Sequence, residues 1–458
     1  MNRRTAKGQA LVLFLGFAAA MIGILLVSFN SGQVSNAKMR AMNAADAAAY
    51  SGAVWQARTL NFQAYMNRAM VVNEVTIAQS VSLRSWIDYL AKFISNVNQV
   101  ARFIPYVGTA TTAISRGLDQ VDEAVQRLMP RFEQAARVLS YAEAQAQEGF
   151  NAFGVLGATD IAYDVAKKNG ADVSLGGKAL FVLNESRWRD FTKTYKKDIR
   201  PSGTSGDGRA RLRAVTLDSR DGFTQDRKWE LGFALIAEGK LNKQGGTDLV
   251  NYDAWKGLDS AAMCTGVLKC RPWVELGWGG AQAYSTRSPV TGIGRHGSGD
   301  WNRVDGRRAR VQANSRGQAT ALSNVFPDYR DLQDLDPKRT DRQKIAFAIE
   351  VLVKDGDVPT ANSSFRAKAA VMDGRTVEHD PQYGGSEKGV YGLAEGCVSF
   401  DRPEGLKRQD GGVERPSLFN PYWRASLATP SAKTRVTVGI TKQLAPVEAF
   451  VGGDGSCS

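Results

Sequence analysis

The side chains best suited to chemistry are few. The 458-residue chain has two histidines, His296 and His379, and no G-x-S-x-G elbow to present a serine to either of them. A serine hydrolase needs that pairing, because an imidazole must take the hydroxyl proton. Cys264 and Cys270 are separated by five residues, and neither histidine stands at ligand spacing to them, so a structural zinc is not expected. The chain has no Walker A loop. Gly292-Ile293-Gly294-Arg295-His296-Gly297 matches G-x-G-x-x-G, but STRSPVT leads in and SGDWNRVDG leads out. Dinucleotide binding requires a strand before the loop and a helix after it, so this is a surface turn. Asp172-Val173-Ser174 begins a D-x-S-x-S metal pattern, yet Gly176 takes the place of the second serine and no apolar strand precedes it. The aromatic clusters Trp273 to Trp278 and Pro421-Tyr422-Trp423 read as core before they read as ligand platforms. The expectation is a protein without catalytic residues, metal or cofactor.

Four cysteines, Cys264, Cys270, Cys397 and Cys457, all fall in the C-terminal half. Four thiols allow three pairings, and spacing does not decide among them. The favoured one joins Cys264 to Cys270 in a small loop and Cys397 to Cys457, tying down the C-terminal tail. That pairing presupposes an oxidising compartment, which directs attention to the start of the chain.

Ala10 to Phe29, ALVLFLGFAAAMIGILLVSF, has no charge in twenty residues. As a helix rising about 1.5 Å per residue it covers about 30 Å, the hydrocarbon thickness of a bilayer. Arg3, Arg4 and Lys7 precede it with no acid among them, which keeps the N-terminus cytoplasmic and sends the rest across the membrane. A cleavable signal peptide is the rival reading. Its apolar core is about 7 to 15 residues, shorter than this run, and the best small-x-small site, Ser35 to Ala37, lies well beyond the apolar stretch. Retention as a signal anchor is expected, with everything after Asn30 across the membrane.

No proline occurs before Pro105, and Val34 to Thr59 is rich in alanine, so the helix is expected to continue past the membrane. Within it Asn43 to Ala53 reads NAADAAAYSGA. Its small side chains make Asn43, Ala44, Ala45, Asp46, Ala48, Tyr50 and Gly52 candidates for close helix packing. Beyond this lie two apolar series in steps of three and four. Leu83, Ile87, Leu90, Ile94, Val97, Ala101 and Ile104 form one. Ile114, Leu118, Val121, Val125, Leu128, Phe132, Ala135, Leu139 and Ala142 form the other. Pro105 and Gly108 separate them, predicting an antiparallel helical hairpin whose stripes are core, with a kink at Pro130.

A basic leader, GQALVLF at the start of the span and NAADAAAYSGA shortly after it resemble the N-terminal module of TadE/TadG-like proteins of the tight adherence (Flp) pilus system. Ser417 to Leu427, SLFNPYWRASL, is similar to the tail of longer TadG-like chains. The resemblance implies a single-span, non-enzymatic component of a type IV-like pilus machine that binds pilins or assembly subunits. Gly8 stands where a prepilin peptidase would cut. The position five residues later, a glutamate in pilins, is Leu13, which argues for an anchored role over a polymerising one.

From about Gly154 glycine becomes frequent. Phe181, Trp188, Phe191 and Tyr195 suggest one more helix, followed by the break Pro201 to Gly208. Alternation at Ala210, Leu212, Ala214 and Thr216, and again at Trp229, Leu231, Phe233 and Leu235, predicts half-buried strands, and Ile345 to Val353 a fully buried one. The expected organisation is a basic leader over 1–9, a transmembrane helix over 10–29 and a helical stalk and hairpin over 30–150. An α+β domain with a mainly antiparallel sheet then fills 151–458. Net charge is +13, yet residues 1–150 carry 14 bases against 9 acids and the remainder 45 against 37. An excess spread this thinly predicts no nucleic-acid partner. A membrane-tethered enzyme or surface adhesin acting on polysaccharide or peptide is the alternative reading, and oligomeric state is left open.

Overall fold

The computed structural model describes residues 9–101, 107–203, 206–234, 238–265, 273–286, 288–293, 307–319, 326–335, 343–359, 389–403, 405, 414–441 and 457. Helix α1 runs unbroken over Gln9–Ala101. Helix α2 covers Val107–Lys168 and continues through Pro130. Then come β1 Asp172–Val173, α3 Leu175–Phe191, β2 Thr192–Tyr195, α4 Gly208–Asp218, α5 Gly222–Gln225, β3 Trp229–Ala234, β4 Glu238–Val250, β5 Ala254–Thr265 and β6 Trp273–Tyr284. The chain finishes with α6 Arg307–Ser315, β7 Gln318–Ala319, β8 Tyr329–Leu332, β9 Lys344–Lys354, β10 Gly389–Phe400, β11 Trp423–Ala428 and α7 Ala432–Thr441. This is a long apolar-ended helix followed by an α+β region whose sheets are largely antiparallel.

The chain forms two compact units. One consists of Met1–Phe62, Gly149–Lys193 and Leu332–Ser458, the other of Gln63–Glu148 and Thr194–Asp331. Both long helices contribute to both units. They supply a helical layer to each sheet.

In the first unit the described strands lie in the order β1, β9, β10, β11, every neighbour antiparallel. Strand β9 is apolar at nearly every position because helices cover both of its faces. Ile345, Phe347, Ile349, Val351 and Val353 point into a core shared with α1 and α2, while Ala348 packs with Leu180, Leu183 and Val438 of α3 and α7. Helix α3 begins where Ser174 caps it, its hydroxyl accepting from Gly177 N. Asp172 of the D-x-S pattern is the first residue of the edge strand β1 and pairs with Lys354, so that pattern is a strand and a helix cap.

In the second unit β3, β4, β5 and β6 form an antiparallel meander, and β7 pairs parallel to β6. Trp255 is fully buried at its centre and donates to Glu74 at 3.0 Å. Asp259 of β5 is buried with Arg227 and Lys243, and accepts from Ser85 at 2.7 Å. Burial raises that carboxyl, but the two cations outweigh it and hold it below its ordinary value.

The hairpin is antiparallel. Asn98 bonds Thr112, Ser80 bonds Glu133, and Asn73 bonds Glu143, so position falls along α1 as it rises along α2. Its interior differs from the expected one. Ile114, Val121, Leu128, Phe132 and Leu139 are 47–60% exposed, Leu118 is half-buried, and of the nine residues in that series Val125 alone is buried. The buried face of α2 carries Glu133, Arg137 and Ser140, with Gln147 bonded to Asn67. A polar row, in which Glu133, Arg137 and Gln147 bond across to α1, has taken the inside, and the larger apolar residues face out.

Two further expectations differ. Ala210 to Thr216 is helical, because Asp207 caps Arg209 N and the alternating arginines are good helix formers; the alternation spans too few residues to fix a period. Strand β3 is a strand, but Trp229 and Leu231 are 44% and 56% exposed, as suits a sheet edge.

Candidate membrane anchor and packing site

Among the described residues nothing covers the part of α1 that is apolar enough to cross a membrane. Leu11, Leu13, Phe14 and Phe17 are 65–75% exposed, and exposure stays high through Phe29 on every side of the helix. A buried core helix would show the reverse. This stretch is long and apolar enough to span a bilayer, and its hydrophobic surface is exposed. The leader and Gly8 lie outside the described residues.

Past the span the surface changes within two turns. Ala37, Ala41, Ala44, Ala45, Ala48, Ala49, Ala53 and Ala57 are buried. Two strand glycines explain the need for small side chains. A Cβ on Gly392 would lie 2.3 Å from Ala41 O, and one on Gly396 would lie 2.6 Å from Ala49 O and 2.7 Å from Ala53 Cβ. Backbone therefore lies on backbone, helix against strand β10. On the helix side, a Cβ at Gly52 would strike the Phe347 ring at 2.3 Å. The C-terminal end of α2 joins through Val155, Ala158, Ala162 and Ala166. Trp55 donates to Phe153 O at 3.0 Å, and its ring closes on Gly157.

Polar bonds fix the register of this contact. Lys38 Nζ donates to Tyr391 O at 2.7 Å. Asn61 forms a two-way amide pair with Trp423, giving Nδ2 to its carbonyl at 3.0 Å and accepting its N–H at 2.9 Å. The stretch Ser417 to Leu427 thereby becomes part of the core. Leu418, Phe419 and Trp423 are buried, and the Trp423 ring meets Phe191 and Phe400 edge-on at 5.5 and 5.3 Å.

The seven packing candidates thus divide into two groups. Ala44, Ala45, Ala48 and Gly52 are buried against this chain's own sheet and helix. Asn43, Asp46 and Tyr50 fall on the opposite side, Asn43 exposed, Asp46 half-buried and Tyr50 46% exposed. Partial burial pushes the Asp46 carboxyl above its ordinary value. The strand glycines of β10 were not singled out by sequence reasoning; three small residues on one strand face, Gly392, Ala394 and Gly396, were the available signal.

Cys397 and Cys457 form a disulfide, with Cα atoms 5.5 Å apart. Cys264 is also disulfide-bonded, while Cys270 lies outside the described residues. So do His296 and His379, and with them any test of a serine–histidine pair. Trp278 of β6 is half-buried beneath Arg308, whose guanidinium lies 4.6 Å from the ring centroid.

Residues 8–57 match the model of a family described as putative Flp pilus-assembly TadE/G-like. That segment holds the whole apolar span and most of the alanine face. Neither a curated protein nor a solved structure matches the chain.

Proposed function

We propose that this protein is a membrane-anchored, non-enzymatic component of a Flp-type pilus-assembly apparatus, retained in the inner membrane with its folded units on the periplasmic side. The observation that carries this reading is the coincidence, within 8–57, of a lipid-directed span and a small-residue face that seats a folded unit directly on the anchor. Such a construction acts by position: it holds a domain at fixed depth and presents a surface to a neighbour.

That surface is the outward row of α2. Ile114, Val121, Leu128, Phe132 and Leu139 repeat in steps of seven and four, the spacing with which one helix receives the knobs of another. The partner is a pilin or assembly subunit offering a helix with a matching apolar stripe. Leu128→Glu with Phe132→Glu places charge on positions 60% and 52% exposed, leaving the fold intact. Pull-down of the tagged full-length protein from cells making the whole apparatus should then lose its pilus-assembly partners, with an unchanged melting profile. Retention of those partners by the double variant overturns the assignment of this row.

A further inference from the structure

The outward row of α2 has a counterpart on α1. In the second unit α1 meets the sheet through Val81, Ser85 and Phe93, where Gly257, Gly279 and Gly277 leave room for it. It meets α2 through Asn73, Ser80 and Asn98. The remaining side, turned away from the sheet, carries Val72, Thr76, Leu83, Leu90 and Val97 in steps of four and seven. Val72 and Val97 are 60% and 37% exposed, and the other three are half-buried. The hydrogen bonds from Asn98 to Thr112, Ser80 to Glu133 and Asn73 to Glu143 set the two helices against each other. They bring Val97 level with Ile114, Leu90 with Val121, Leu83 with Leu128 and Phe132, and Thr76 with Leu139. Neither row carries a charge, and together they make one apolar face two helices wide.

The dimensions of this face select what covers it. From Val72 to Val97 it runs about 38 Å at 1.5 Å per residue, and two helices make it about 20 Å across. That is about 760 Å², close to the roughly 800 Å² that each partner brings to a stable interface. A lone helix, about 10 Å wide, would cover half of it. A second hairpin covers all of it. Turning a copy about a two-fold axis parallel to the helices keeps every residue at its own height, so α2 of one copy faces α1 of the other at the levels already fixed within the hairpin. Val121 then meets Leu90 of the second copy, and Ile114 its Val97. All adjacent helices run antiparallel, as in an up-down four-helix bundle. The same axis leaves both Ala10–Phe29 stretches at one end, as a shared bilayer requires, because α1 is unbroken. We infer that the α1–α2 face binds a second copy of this chain in a four-helix bundle. The inference rests on the reading of the α2 row as a docking face and names the subunit that fills it.

Sedimentation velocity of the full-length protein in detergent should show a dimer with Kd below about 10 μM. Val97→Glu changes α1 at a level where a lone helix on the α2 row would leave it uncovered. That variant, and separately Leu128→Glu with Phe132→Glu, should raise the Kd at least about tenfold with an unchanged melting temperature. Cysteine pairing reads the arrangement in the membrane without disturbing the apolar rows. Leu90→Cys and Val121→Cys, carried on differently tagged copies in one cell, should form a disulfide between the copies at least about fivefold more than either variant forms with itself. A monomer at every concentration, a dimer indifferent to Val97→Glu, or Val121→Cys linked to itself in place of the mixed bond would each overturn the inference. A monomer whose Leu128→Glu, Phe132→Glu variant still loses its pilus-assembly partners would overturn it while leaving the α2 row a docking face.

Discussion

Gly392 shows how much one missing methyl group decides. An alanine there would set its Cβ 2.3 Å from the carbonyl oxygen of Ala41, a backbone atom that cannot rotate away. Gly392→Ala should therefore destabilise the first unit by about 1–3 kcal/mol, the usual cost of overpacking. Chemical unfolding of the full chain followed through Trp423 or Trp188, both buried in that unit, would report it; an unchanged midpoint would mean that helix and strand are not in contact there. The alanine run was legible in the sequence as a surface built for close approach. What approaches it was not, because the complementary glycines lie about 350 residues further along, and side-chain size states how near a neighbour can come without naming it.

At the scale of elements, the long helix, the hairpin and the buried strand β9 were all readable from periodicity and from the single Pro-Gly break. The facing of α2 was not. An apolar stripe normally turns inward, but Glu133, Arg137 and Gln147 find specific partners across the hairpin, and burying them leaves the apolar row outside. This polar interior makes the second unit sensitive to pH. Burial is the main cause that pushes the Glu74 carboxyl up to about 6 and those of Asp88 and Glu133 up to about 7; Arg137, Arg316 and Ser80 respectively oppose it. The folded state thus keeps protons that the unfolded chain releases near its ordinary values of 3.8 to 4.5. The resulting stabilisation is complete below those values and is lost as pH rises through about 6 to 7. The denaturant midpoint of this unit should be higher at pH about 5 than at about 7.5, and Glu133→Gln should flatten the slope. A midpoint that rises over the same interval would contradict the polar interior.

The Cys397–Cys457 bridge belongs to the same scale. It closes a loop across a sequence separation of 60 residues, worth about 4 kcal/mol in the chain-entropy account. Non-reducing peptide maps of protein recovered from the cell envelope should contain this pair, and reduction should lower the melting temperature of the first unit. Recovery of free thiols at both positions would remove the oxidising compartment on which the pairing depends.

For the whole molecule, the order of segments was legible and the units were not. Each unit gathers pieces far apart in the chain, three in one case and two in the other, and the chain passes between them within α1, α2, β2 and β8. Composition shifts along a sequence reveal boundaries between consecutive domains; they are blind to units that share their helices. The first helix is both a candidate membrane span and one layer of a folded core, so on the proposed function the anchor is part of the domain it carries. Intact-mass spectrometry of the protein taken from carbonate-washed membranes tests this most directly. The account predicts a chain that still contains Ala10 to Phe29 and is absent from the soluble fraction. A soluble product whose mass begins beyond Phe29 would contradict it.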